Sequence, residues 1–204
     1  MTAIPDPLLA CAHLLDTSSM QARAASREED RAILAALYAD HAPSIHRFLC
    51  DLLGDAALAA DATQETFVRA FRRMDAVRAV ARVAPWLFGV ARNVSLELRK
   101  SRFRSRRVFV PEGDVEGPPT ACARGGSPES NLLGQEAVDV IKAALGKLSE
   151  DRRAVLLLRL DHGLAYDEIA ELMDWSLAKV KVEIHRAREV LRATLAEYEQ
   201  GDVR

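Results

Sequence analysis

Residues 166–192, YDEIAELMDWSLAKVKVEIHRAREVLR, decide how the rest of this chain is read. Apolar residues recur three and four apart from Tyr166 to Met173, Asp174-Trp175-Ser176 breaks the period, and it resumes from Leu177 to about Tyr198. Two helices across a turn of three or four residues, the second rich in Lys and Arg, have the shape of a helix-turn-helix. In the second, Val180, Ile184, Ala187 and Leu191 follow spacings of four, three and four and form a buried seam. The same winding sends Ala178, Lys179, Val182, His185, Arg186 and Glu189 outward, with Lys181 and Arg188 at the flanks. A recognition helix would offer these side chains to base edges in a major groove and the flanking cations to phosphates. The alternative is a solvated charged face, since charge runs commonly do no more than keep a surface wet. The preceding turn and short helix favour DNA.

A second basic block lies upstream. WLFGVARNVSLELRKSRFRSRR, residues 86–107, sets Arg92, Arg99, Lys100, Arg102, Arg104, Arg106 and Arg107 against Glu97 alone, a local charge of +6 in a chain whose net charge is -2. Attraction to a polyanion must therefore come from local asymmetry rather than from an overall field. Trp86 has two readings, a core anchor or a surface on which a base stacks, and both remain open from the residues alone. Two basic helical blocks separated by a spacer suggest nucleic acid gripped at two places.

The remaining sequence predicts an all-α protein of two small helical domains joined by a flexible linker. Strand signals are nearly absent from the 204 residues, while Ala, Leu, Arg and Glu recur with helical period. A helix is predicted from about Glu28, with Ile33, Leu34, Leu37, Ile45, Phe48, Leu49 and Leu52 as its seam and Gly54-Asp55 as its stop. Residues 1–27 read as an extension without an interpretable motif. A second helix, about Ala56 to Met74, is expected to bury Ala56, Ala60, Phe67 and Phe71 and to turn Asp61, Glu65, Arg69 and Arg72 outward. A third is expected from Pro85 to about Ser105. The resulting division is 28–107, a spacer at 108–131, and 132–200. Val108 to Ser130 holds four of the eight prolines and four of the ten glycines. Beyond it, Ser149 is the expected cap of a helix with Glu150 and Asp151 in its first turn.

Several classes are disfavoured. Three cysteines, Cys11, Cys50 and Cys122, are an odd count without a CxxC pair, which argues against a disulfide scaffold or zinc ribbon and for a reducing, cytoplasmic setting. No basic leader precedes the first apolar run and no run approaches about 18 apolar residues, so no membrane insertion is expected. His46 and Cys50 lie one turn apart but lack a third ligand. With no Gly-rich phosphate loop and no nucleophilic triad in view, no metal, no cofactor and no catalytic residue are expected.

LSEDRRAVLLLRLDHGLAYDEIAELMDWSLAKVKVEIHRAREVLR resembles region 4 of sigma-70 family factors, and DATQETFVRAFRRM with APWLFGVARNVSLELRKSRFRSR resembles their region 2. Region 2, a short linker and region 4 in that order look like the extracytoplasmic-function (ECF) group of RNA polymerase sigma factors. The resemblance implies that Asp61, Gln64, Glu65 and Arg72 dock on the clamp of the largest β-type subunit of core RNA polymerase. It implies that Trp86, Arg92 and Asn93 capture an unstacked minus-10 base while Arg99, Lys100, Arg102 and Arg104 hold the strand's phosphates. For the minus-35 element it implies Ala178, Lys179, Lys181, Val182, Glu183, His185, Arg186 and Arg188. Promoter DNA and an anti-sigma factor are the further partners expected.

Two departures from the family pattern stand out. Ala165 replaces the usual Ser or Thr before Tyr166, forfeiting about 1 kcal/mol of capping unless another contact compensates. The usual G-T-V-K-S-R reads A-K-V-K-V-E at Ala178 to Glu183. Val182 is then suited to a thymine methyl and Glu183 to cytosine N4, predicting an uncommon minus-35 preference. A regulator that binds duplex DNA through the helix-turn-helix alone, or an adaptor that binds polymerase without reading promoters, fits part of the same sequence.

Overall fold

The computed structural model describes residues 7–108 and 131–201, with side chains described for 20, 21, 23–102, 104 and 139–198. The expected spacer falls mainly outside these residues. Eight helices and no strand occur among the described residues: α1 (Pro7–Leu53), α2 (Ala56–Arg72), α3 (Met74–Ala79), α4 (Val83–Val108), α5 (Asn131–Gly146), α6 (Glu150–Leu160), α7 (Tyr166–Met173) and α8 (Leu177–Gly201).

Helix α1 starts 21 residues before the expected Glu28, at Pro7. Proline suits the first turn of a helix, and neither Pro nor Gly follows until Pro43, so nothing in between stops propagation. Gly54, at φ 72°, ends it in the left-handed conformation that a glycine adopts without strain. Asp55 then caps α2, its Oδ1 accepting from the backbone N–H of Leu58 at 3.0 Å.

The seam of α2 is rotated from expectation. Ala59, Ala62, Thr63, Thr66, Phe67 and Ala70 are buried, whereas Ala60 is exposed and Phe71 is 38% exposed. Two of the buried residues, Thr63 and Thr66, are polar. Their hydroxyls donate to the carbonyls of Ala59 and Ala62, each at 2.7 Å, and so enter the core without an unpaired group.

Ser149 occupies the N-cap position of α6, but its side chain makes no capping hydrogen bond. Glu150 and Asp151 do occupy the first turn. Ala165 caps α7 without a side-chain acceptor, and the compensating contact is Glu168, whose Oε2 accepts from the Ala165 N–H at 2.7 Å. That is one half of a capping box. α7 ends at Asp174 in the left-handed region, φ 53°, where Trp175 N–H donates to the Ala170 carbonyl at 2.9 Å and Asp174 N–H to Glu171 at 3.2 Å. Ser176 accepts from Lys179 N–H at 3.3 Å and opens α8.

Helices α1, α2 and α4 pack together, as do α5 to α8, and α1 against α6 and α4 against α7 join the two sets. One continuous buried cluster runs from Ile45 and Phe48 through Leu87 and Val94 to Leu158, Ile169 and Ile184. His162 stands against Phe88 at 4.6 Å and Phe48 at 5.7 Å between ring centroids. Arg153 stitches the same seam, donating to Leu145 O at 2.9 Å in α5 and to Leu52 O at 3.1 Å in α1. These carbonyls belong to helix ends that lack intrahelical donors. The Cys50 Sγ lies 3.4 Å from His46 Nε2.

Candidate nucleic-acid and polymerase interface

Helix α8 presents an open face. Val180, Ile184 and Ala187 are buried, Leu191 packs against the core, and Ala178, Lys179, Lys181, Val182, His185, Arg186 and Glu189 are exposed. Arg188 is half-buried. Lys179 folds back so that its Nζ sits 3.8 Å from the centre of the Trp175 ring, a cation–π contact that anchors the first turn of the helix to the preceding turn. Val182, 45% exposed, stands in the middle of this face with nothing apolar covering it.

Glu183 departs from the sequence expectation. Its carboxylate accepts from Arg152 Nε at 2.5 Å and from Arg186 Nη1 at 3.1 Å, leaving the side chain 15% exposed. The Arg152 bond holds its carboxyl below the usual range. Glu183 is thus drawn back toward α6 and steadies Arg186, instead of standing free for cytosine.

Helix α4 carries two stripes where one was expected. At 100° per residue, Trp86, Asn93, Lys100 and Arg104 fall on one side, and Arg92, Arg99 and Arg102 on another. The first stripe is open: Asn93, Lys100 and Arg104 are exposed and Trp86 is half-buried. Both readings of Trp86 hold in part, because the ring packs against the core and also lines a cavity of about 620 Å³ with Asn93, Arg73 and Arg82. The far wall of that cavity is Glu168, Glu171 and Leu172 of α7.

The second stripe is already paired. Arg92 Nη2 meets Asp151 Oδ1 at 2.6 Å, Arg99 Nη1 meets Glu150 Oε2 at 3.0 Å, and Arg102 Nη1 meets Asp55 Oδ2 at 2.8 Å. Arg99 also donates to Leu52 O at 3.1 Å. Asp55, bonded to Leu58 N–H and to Arg102, is held below the usual carboxylate range. The single continuous phosphate-holding row expected from Arg92 to Arg104 is therefore absent, because side chains one residue apart on a helix point 100° apart.

Between α2 and α4 lies a shallow groove of about 610 Å³ that brings Asp61, Gln64 and Glu65 opposite Lys100 and Arg104. Arg72, the fourth docking candidate, is exposed beyond the groove. The residue missed in this site is Arg69. It bridges Glu65 at 2.7 Å and Glu97 at 2.7 Å, and that pairing lowers the Glu97 carboxyl and raises the guanidinium. The i, i+4 spacing of Glu65 and Arg69 was visible; the partner 28 residues away was not.

A helix-turn-helix with an open basic face, joined to a bundle bearing a second basic helix beside an acidic groove, defines an all-helical nucleic-acid-binding class. Family models agree, "Sigma-70 region 2" matching residues 37–106 and "Sigma-70, region 4" matching residues 139–191. The chain is 35% identical over 170 residues to the ECF RNA polymerase sigma factor SigL of Mycobacterium tuberculosis, covering 82% of this chain and 92% of that one. It is 32% identical over 153 residues to the ECF sigma factor EcfG of Rhodopseudomonas palustris, covering 75% and 80%. Among solved structures, the sigma factor RpoE of Bartonella quintana, crystallised with the anti-sigma factor NepR, shares the fold with a TM-score of 0.62. It is 24% identical, covering 79% of this chain and 96% of that one. The chain belongs to the ECF group of sigma-70 family RNA polymerase sigma factors.

Proposed function

We propose that this ECF sigma factor directs promoter-specific initiation by core RNA polymerase through two faces of different target geometry. Helix α8 reads closed duplex at the minus-35 element with Ala178, Lys179, Val182, His185 and Arg186, while Lys181 and Arg188 at its flanks serve the backbone. Trp86 and Asn93 of α4 receive an unstacked minus-10 base, the ring as a stacking surface and the amide as hydrogen-bond partner, and Lys100 and Arg104 follow the strand. Asp61, Gln64, Glu65 and Arg72 dock on the polymerase clamp. Residues 28–107 and 132–200 are the corresponding functional units, linked through 108–131. Tethering raises the effective concentration of the second grip once the first is made.

The observation that carries this reading is the pair of open faces, Ala178 to Arg186 on α8 and Trp86, Asn93, Lys100 and Arg104 on α4, each backed by buried apolar residues. The polymerase supplies the phosphoryl-transfer chemistry, so the chain itself is not an enzyme and needs no cofactor. It acts in the cytoplasm; no described helix is long and apolar enough to cross a membrane. An anti-sigma factor is its regulatory partner, by analogy with the complex of RpoE and NepR.

Selection from randomised duplexes tests the α8 assignment. We expect a minus-35 sequence that differs from the common family preference, altered by Val182→Ser or His185→Ala. Recovery of the ordinary family sequence by the unaltered chain would contradict it. Binding is also expected to weaken steeply with salt, because phosphate contacts release counterions.

A further inference from the structure

Arg186 stands in the middle of the open face of α8. At about 100° per residue it lies about 40° round the helix from Val182 and about 20° from Lys179. Lys179 is folded onto Trp175, whereas the Arg186 side chain is 55% exposed beside the uncovered Val182. Its guanidinium is held at one corner. Nη1 donates to Glu183 Oε1 at 3.1 Å, and the other oxygen of that carboxylate accepts from Arg152 Nε of α6 at 2.5 Å. The Glu183 side chain keeps 15% exposure and Arg152 35%, so the carboxylate is fixed from behind by the scaffold helix.

An arginine that meets a base from solvent loses the freedom of several rotatable bonds, and a carboxylate already anchored to a second guanidinium removes part of that loss beforehand. The bond at Nη1 keeps the opposite edge, Nε with Nη2, for a base. Two parallel donors on one edge match the O6 and N7 acceptors of guanine. Arg152 also neutralises a carboxylate that would otherwise repel the phosphates of an approaching duplex. We propose that Arg152 and Glu183 are positioning residues for minus-35 recognition, holding Arg186 in the pose that pairs with one guanine and so setting base preference without touching DNA. The inference rests on the assignment of α8 as the duplex-reading helix. It puts a guanidinium reading guanine where the sequence pattern put a carboxylate reading cytosine.

The test uses the full chain assembled with core polymerase and a run-off template bearing the minus-35 element recovered by duplex selection, remade with each base pair at every position of the element. The ratio of initiation on the preferred pair to that on the others gives a preference at each position. Arg186→Ala marks the position it reads, where a preference for guanine should vanish. Glu183→Ala and Glu183→Gln should lower that preference about fivefold or more, while preferences elsewhere in the element stay within about twofold. Arg152→Met should lower the same preference by a smaller factor. Glu183→Ala added to Arg186→Ala should change nothing further at that position, because the carboxylate acts through the guanidinium. A part in the fold alone would reduce initiation on all templates alike, and that result would overturn the proposal. So would an unchanged preference in both Glu183 variants, or a loss in Glu183→Ala of equal size with and without Arg186, the sign of direct reading by the carboxylate. The two assignments fail separately. Arg186→Ala with every preference intact removes Arg186 from the reading face, whereas a loss in Arg186→Ala with both Glu183 variants unchanged removes only the positioning.

Discussion

Helices α4 and α8 are both basic, amphipathic and backed by core, yet most of the outward face of α8 is open to solvent whereas that of α4 is partly covered. On α8 the outward residues meet near neighbours, Trp175 beneath Lys179, Glu183 beside Arg186 and Glu189 beside His185. On α4, Arg92 and Arg99 are taken by carboxylates 59 and 51 residues further along the chain. A run of arginines therefore defines a charge, and its helical phase together with distant carboxylates defines which of them are available. The difference also fits the two targets. A closed duplex is a rigid object that a fixed face can meet, whereas an opened strand exists only after melting.

The contrast can be broken at the seam. Phe48→Ala removes the ring packed on Phe88 and His162 and should cost about 3–5 kcal/mol in chemical denaturation, while the exposed residues of α8 stay unaltered. Next in size is Arg153→Met, which removes the guanidinium tying Leu145 O to Leu52 O across the seam and should cost about 1–2 kcal/mol, since Arg99 and the Leu148 N–H still donate to those carbonyls. Both substitutions should loosen the cover on α4. A loss below about 0.5 kcal/mol at either position would show that the seam contributes little to the fold.

Acidification should act in the same direction with a smaller effect. Burial pushes His162 below its ordinary value near 6.5; Asp161 and Asp51 oppose that shift and Arg47 adds to it. The docked state thus favours neutral imidazole, so its contribution is complete above the unfolded value and is lost as pH falls through 6.5 toward the lowered one. The denaturant midpoint should drop between pH 7.5 and 5.5, and His162→Gln should flatten that part of the profile. An unchanged slope in the variant would assign the dependence to other groups. The smallest effect sharpens the contrast from the other side. Ala165→Ser completes the capping box with Glu168 and should stabilise the helix-turn-helix by about 1 kcal/mol without changing strand affinity.

Much of the helix-turn-helix was legible in the sequence because its signals are local. Asp174-Trp175-Ser176 sits between α7 and α8, and the spacing of Val180, Ile184 and Ala187 named the buried side. The α2 seam was misplaced because Thr63 and Thr66 count as polar by composition, and only the bonds to Ala59 and Ala62 make them core. The sequence expectation gave Glu183 to a base because its neighbours in sequence lie on the outward face. Arg152, 31 residues away, turns it inward, and no helical period reveals such a partner. The start of α1 was missed for the opposite reason, since an Ala-rich segment without a seam carries propensity but no pattern.

Run-off transcription by purified core polymerase with this chain, compared with Trp86→Ala/Asn93→Ala, tests the account most directly. The unaltered chain should confer initiation from a defined site on closed promoter duplex. The double variant should lose most of that activity while binding a minus-35 duplex fragment as before. Initiation by the variant equal to that of the unaltered chain, or no site selection by either, would contradict it.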